Sequence, residues 1–180
     1  MDSRLILMRH AKSDHGDPTI SDHQRPLNRR GRGDSPRMAQ WLAAENLTPD
    51  IVLSSTSQRT RETLELMLPL FETEPEIRFC DSLYLSSPES ILWTISTEHC
   101  GKSRVLVLGH NPGMSMVSSV LSGKVIEMPT AAIAVLSPQR PRSQTPPTQH
   151  WLDEINPRTA CELASYMYPK GLDCQGETTD

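Results

Sequence analysis

Aromatic residues make up only 4% of this 180-residue chain, and the hydrophobic fraction is a modest 36%. That supply suits one core of domain size surrounded by polar loops and a tail. No apolar run approaches the ~20 residues that span a bilayer. Only Leu5 to Met8 stand between Arg4 and Arg9, too short a stretch for the apolar centre of a signal peptide. The sequence therefore predicts a cytoplasmic protein without membrane attachment. The four cysteines (Cys80, Cys100, Cys161 and Cys174) include no C-x-x-C pair, which argues against a zinc ribbon or a disulfide scaffold and suits reduced thiols. Charge of one sign is not in large excess either: 18 Lys and Arg face 22 Asp and Glu, for a net charge of −4. A broad basic surface for nucleic acid is thereby disfavoured, whereas a small basic pocket is not.

What is present is an alternation of short apolar runs with helical patterns. Leu5 to Met8, Ile51 to Leu53, Ile77 to Phe79, Val105 to Leu108 and Ala131 to Leu136 read as strands, the first bounded by a long polar loop from Arg9 to Gly33. Helices are expected from Asp34-Ser35-Pro36 towards Pro49, after Ser57 through Leu68, from Pro88 to His99, and around Met116 to Leu121. Trp151 to Ile155 reads as a returning hairpin strand, and Leu163 and Met167 as part of a last helix. The pattern predicts a three-layer α/β/α sandwich with a mostly parallel central sheet. Residues 1–172 are expected to form one domain, with a Pro-rich loop insertion at 138–149 and a disordered acidic tail at 173–180.

In such a fold, ligands bind beyond the C-terminal ends of the strands. Those ends carry Arg9-His10, the Arg59 helix entry and Gly109-His110. Taken singly, each is an ordinary surface or core residue, and Arg59 or Arg61 would pair with Glu62 or Glu65 on a solvated helix face. Together at separate strand ends they point to phosphoryl transfer. Guanidinium forks match phosphoryl oxygens, imidazole attacks phosphorus to form a covalent intermediate, and positioned cations stabilise the spread charge of the transition state.

Four segments then carry a resemblance. Leu7-Met8-Arg9-His10-Ala11-Lys12-Ser13, Arg25-Pro26-Leu27-Asn28-Arg29-Arg30-Gly31, Ser55 through Arg59 to Thr63, and Gly109-His110-Asn111-Pro112-Gly113 resemble, in order, the motifs of the histidine phosphatase superfamily. The last is similar to its branch of SixA-type phosphohistidine phosphatases. The resemblance implies a phosphoglycerate mutase-like fold, with His10 as the nucleophile. Arg9, Arg59 and His110 would complete the phosphoryl pocket, Arg25 would stand at its mouth, and Ser13 and the backbone of Asn111 would add donors. It implies no metal and no cofactor. We expect His10 to be neutral and oriented through its other ring nitrogen, and a protonated His110 to supply a donor and a charge.

The chain departs from many superfamily members in lacking an inserted helical subdomain with a proton-donating carboxylate. Asp81, Asp14, Asp17 and Asp22 are the nearest substitutes, each with an ordinary solvated reading. An alkoxide leaving group needs a proton, whereas the imidazole of phosphohistidine departs neutral. Absence of acid and of lid therefore favours phosphohistidine on a protein, such as a carrier or phosphorelay domain. The alternatives are a phosphomonoesterase for a small phosphorylated molecule, a non-catalytic phospho-ligand module, and a metal hydrolase using His10, Asp14, His15, His23 and His110. The histidines of the last show no ligand spacing.

Overall fold

Strand β1 (Arg4–Arg9) has no polar side chain between its ends. In the computed structural model, which describes residues 3–139 and 150–175, Leu5, Ile6, Leu7 and Met8 are fully buried. A strand apolar on both faces requires cover on both. The elements that follow are α1 (Arg29–Ala44), β2 (Ile51–Ser54), α2 (Gln58–Met67), β3 (Glu76–Phe79), α3 (Pro88–Glu98), β4 (Arg104–Gly109), α4 (Gly113–Ser122), β5 (Ile133–Pro138), β6 (Cys161–Met167) and α5 (Pro169–Gln175). The strands form one sheet in the order β3-β2-β4-β1-β5-β6. β3, β2, β4 and β1 pair in parallel, and β5 pairs antiparallel with both β1 and β6.

Alternation along the strands builds a core on each face. Leu5, Leu7, Leu53 and Val107 pack with Ile91 and Ile95 of α3 and Val117 and Leu121 of α4. Ile6, Met8, Val52 and Leu106 pack with Met38 and Leu42 of α1 and Leu64 and Met67 of α2. The α/β/α layering with a mostly parallel sheet is thus as the strand–helix alternation predicts. No helix among the described residues is long and apolar enough to cross a membrane.

Several local expectations are corrected. Helix α1 begins at Arg29, because the Asn28 side chain accepts from Gly31 N at 2.9 Å and caps it; Asp34 is no cap, and Pro36 lies inside the helix. Gly31 is required there: a Cβ would fall 2.2 Å from the Lys12 carbonyl oxygen, so its absence lets α1 pack against the segment after β1. Trp151 to Ile155 is a run of turns. Trp151, Leu152 and Ile155 are buried at helix-like offsets, and Trp151 Nε1 donates to Ser3 Oγ at 2.7 Å.

The hairpin partner of β5 is instead β6, which contains Leu163 and Met167. A spacing of four fits a helix and a strand alike. Here the register shifts beside Ala164, which sends Leu163 and Met167 to opposite cores. Residues 173–175, expected in the tail, belong to α5. Within 138–149, Pro138 ends β5 and Gln139 N donates to Ala160 O; residues 140–149 and 176–180 lie outside the described residues.

Candidate active site

Adjacent parallel strands β1 and β4 end in register, Arg9 opposite Gly109, and His10 N donates to Gly109 O at 3.0 Å. That pairing sets His10 and His110 side by side, with ring centroids 5.1 Å apart. Strand β2 flanks β4 on its other side, so Ser55 and the first turn of α2 arrive at the same edge.

The hydrogen bonds assign each imidazole its tautomer. His10 Nδ1 lies 2.7 Å from the Ala11 carbonyl oxygen, which can only accept, so Nδ1 carries the proton and Nε2 keeps its lone pair. Arg59 Nε donates to that Nε2 at 3.3 Å. His110 Nδ1 accepts from Arg59 Nη2 at 3.1 Å, which leaves His110 Nε2–H to donate to Ser55 Oγ at 2.8 Å. Both rings are neutral. Burial, with the charges of Arg59, Arg9 and Arg25, outweighs the Ala11 hydrogen bond and holds His10 down at about 3. Burial, the neighbouring His10 and Arg59 push His110 down to about 2. The expectation of a neutral, oriented His10 is met; His110 is neutral too while its Nδ1 accepts from Arg59, with burial the largest cause.

Arg59 is 1% exposed and is the largest side chain so deeply buried. Its Nη1 donates to the Asp22 carbonyl and its Nη2 to Asp22 Oδ2 at 2.9 Å. It makes no pair with Glu62, which accepts instead from Leu27 N and Arg32 Nη2 and so holds the Arg25-Pro26-Leu27 segment to α2. Thr63 donates to Arg59 O and accepts from Ala11 N at 3.1 Å. Ser55, Arg59 and Thr63 therefore each act on the histidine segments: on His110, on both rings, and on the backbone after His10.

The model of the histidine phosphatase superfamily (branch 1) matches residues 5–80. The phosphohistidine phosphatase SixA of Escherichia coli is 34% identical over 131 residues, covering 67% of this chain and 79% of that protein. The chain belongs to the histidine phosphatase superfamily. An uncharacterized chloroplastic protein of Arabidopsis thaliana is 35% identical over 144 residues, 74% of this chain; the match spans 65% of that plant protein, just under two thirds of its length. The crystal structure of a candidate SixA from Agrobacterium tumefaciens superposes with a TM-score of 0.76 at 25% identity, covering 94% of this chain and 99% of that one. The phosphoglycerate mutase-like fold is shared with it.

Within this superfamily member, the remaining expected site residues separate. Arg9 donates through Nη1 to Met128 O at 2.9 Å, its Nε is buried without a partner, and burial followed by the Arg59 charge lowers its pKa. Arg25 reaches Asp22 Oδ1 at 2.7 Å. Ser13 contacts His15 Nε2 at 3.4 Å and hydrogen-bonds to none of the clustered residues. The Asn111 side chain is also committed elsewhere: its amide donates to Met128 O at 2.9 Å and its oxygen accepts from Ser115. Asn111 thereby braces the carbonyl that holds Arg9.

Asp22 and Tyr84 are the residues whose place the sequence did not disclose. Asp22, considered only as an acid, joins Arg59 and Arg25, and Tyr84 OH donates to its Oδ2 at 2.6 Å. Burial alone would raise its pKa, but the Tyr84 hydrogen bond and the two guanidinium groups hold it below the usual carboxylate range. In this structure it is the counter-ion of Arg59 and Arg25. Its spacing three residues before Arg25 was the available signal; Tyr84, in the loop after β3, had none. Asp14 and Asp17 accept from their own loop at Gly16 and Thr19, and Asp81 opens the 3-10 turn Asp81–Leu83. Among the described residues, no group of three or more His, Cys, Asp or Glu is arranged to hold a metal ion.

Proposed function

We propose that this protein is a metal-independent phosphatase that takes the phosphoryl group of phosphohistidine on a protein onto His10 and passes it to water. The observation that carries the reading is the Nε2 lone pair of His10, exposed to the guanidinium cluster while Nδ1–H is held by the Ala11 carbonyl. A neutral nitrogen so placed needs no base to act as nucleophile.

In the first step the substrate phosphoryl replaces the Asp22 carboxylate at Arg59 and Arg25. His10 Nε2 forms a bond to phosphorus as the P–N bond of the substrate breaks, and the leaving imidazole departs neutral because its other ring nitrogen already carries a proton. The positive charge of phosphorylated His10 is offset by the phosphoryl oxygens, which Arg9 and Arg59 hold. His110 Nδ1, relieved of Arg59, takes up a proton against the incoming dianion and donates to an oxygen. In the second step water attacks phosphorus, the His10–P bond breaks, and phosphate leaves.

Two further features support this substrate class. Before substrate enters, the carboxylate at the guanidinium cluster is ionised and paired with Arg59, Arg25 and Tyr84, so no carboxylic acid is preorganised for an alcohol leaving group. E. coli SixA, a phosphohistidine phosphatase, is among the relatives. We place the protein in the cytoplasm, where its four free cysteines, two of them exposed, would stay reduced. The test is phosphate release from phosphoramidate and from a simple alkyl phosphate, side by side in excess EDTA. Preference for the P–N compound is expected. Equal or faster hydrolysis of the ester would make a small phosphorylated metabolite the better substrate, and loss of all release in EDTA would overturn metal independence.

A further inference from the structure

Arg9 borders two clefts. The larger, about 870 Å³, runs past Met116, Met128 and Tyr166 and includes Glu127. The smaller, about 360 Å³, is lined by Arg9, Lys12, Arg30 and Lys170 with Thr130 and Tyr168, and no carboxylate lines it. Arg30 uses its Nε on Asp34 at 3.3 Å, which leaves its terminal nitrogens for the cleft. Lys12 and Lys170 make no ion pair among the described residues.

Four cations line this cleft and no acid does; Arg30 is paired with Asp34 outside it, and Arg9, Lys12 and Lys170 have no ion-pair partner among the described residues, so the cleft is a local positive field on a chain of net charge −4. The position of one of them is well fixed. The Lys12 carbonyl accepts from Asn28 N at 3.0 Å, and Gly31 packs against the same backbone, so Lys12 is held two residues past His10. Arg9 is common to this cleft and to the histidine cluster, whose His10 its charge reaches.

We infer that this cleft is a second anion subsite, taking a phosphate or carboxylate that the substrate carries beside its transferable phosphoryl group. The inference rests on the reading of His10 as phosphoryl acceptor. It adds a selection rule to the reaction: the phosphoryl sits at His10 while Lys12, Arg30 and Lys170 grip the neighbouring anion, with Arg9 between them.

Calorimetric titration with ligands that are not turned over tests it. Methylenebisphosphonate should bind about tenfold tighter than inorganic phosphate, the gain expected from a few exposed charge-assisted contacts. In Lys12→Gln/Lys170→Gln the advantage should fall to about threefold or less, whereas Lys124→Gln, an exposed lysine outside the cleft, should keep it. Phosphonoacetate separates the two sources: tighter binding than the bisphosphonate assigns the subsite to a carboxylate, weaker binding to a phosphate. Equal affinities for bisphosphonate and phosphate, or an advantage that survives the double variant, would overturn the subsite. Because these ligands are inert, that failure is distinct from failure of the phosphatase reading, which would show as no phosphate release from phosphoramidate.

Discussion

Two histidine pairs mark opposite ends of the same two central strands. At the C-terminal ends of β1 and β4, His10 and His110 lie 5.1 Å apart; near the N-terminal ends, His99 and His150 lie 4.7 Å apart. Ring spacing barely separates them, but their partners do. His99 Nε2 meets Asp153 Oδ1 at 2.8 Å, and its Nδ1 accepts from Gly101 N, so both nitrogens are spent on structure. His10 gives one nitrogen to Ala11 and turns the other towards a guanidinium. A carboxylate partner consumes an imidazole's proton, whereas a cationic neighbour leaves a lone pair that an electrophile can displace into use. The two pairs thus differ in the sign of the charge beside them, with burial the larger cause that keeps His10 and His110 neutral.

The comparison is broken most directly at the rings themselves. His10→Ala should lower phosphoramidate turnover by ~10⁴-fold or more, while His99→Ala should keep turnover and lower the melting temperature; steady-state assays and thermal melts on both variants read this out. Comparable activity loss in both would erase the distinction. Arg59→Ala should cost ~10²–10³ in kcat/KM, as for loss of a preorganised transition-state donor. Arg59→Lys should recover little, since one ammonium cannot serve His10, His110 and the phosphoryl oxygens as a planar fork does. Asp22→Asn removes the resident anion from Arg59 and Arg25 and should tighten phosphate binding by about tenfold by titration; weaker binding would show that Asp22 holds the arginines in place instead of competing for them.

The smallest effects are those of pH. Folded His10 and His110 bind protons only near about 3 and about 2, against ~6.5 for an unfolded chain. Between those values the unfolded state binds more protons. The stability these neutral rings contribute is therefore complete above pH ~6.5 and is lost as pH falls towards the folded values, by up to ~1.4 kcal/mol per unit for each ring. Urea unfolding at pH 7 and pH 5 should show the drop, reduced in His110→Gln. In kcat/KM, which reports the free enzyme, no acid limb of enzymic origin should fall near pH 6.5.

The strands and the histidine–arginine set were legible in the sequence because both are written in short-range patterns: apolar runs of four, and motif residues directly at strand ends. What escaped depends on long-range meetings. Asn28 outcompeted Asp34 as a cap only because Gly31 could settle against Lys12. The register shift at Ala164 made a strand of residues whose spacing suited a helix. Asp22 became a counter-ion because a loop brought it to a buried guanidinium 37 positions away, and the neutrality of His110 followed first from its burial and then from positive groups contributed by separate elements. Charge balance in a pocket is a sum over elements, and no single window of sequence contains it.

The central claim is that His10 Nε2 accepts the phosphoryl group. Incubation with phosphoramidate, an alkaline quench that preserves phosphohistidine, and peptide mass spectrometry with phosphorus NMR would test it. Phosphate is expected on the His10 peptide, attached at Nε2, and none in Arg59→Ala at equal times. Label on His110, attachment at Nδ1 of His10, or turnover with no phosphoenzyme would contradict it.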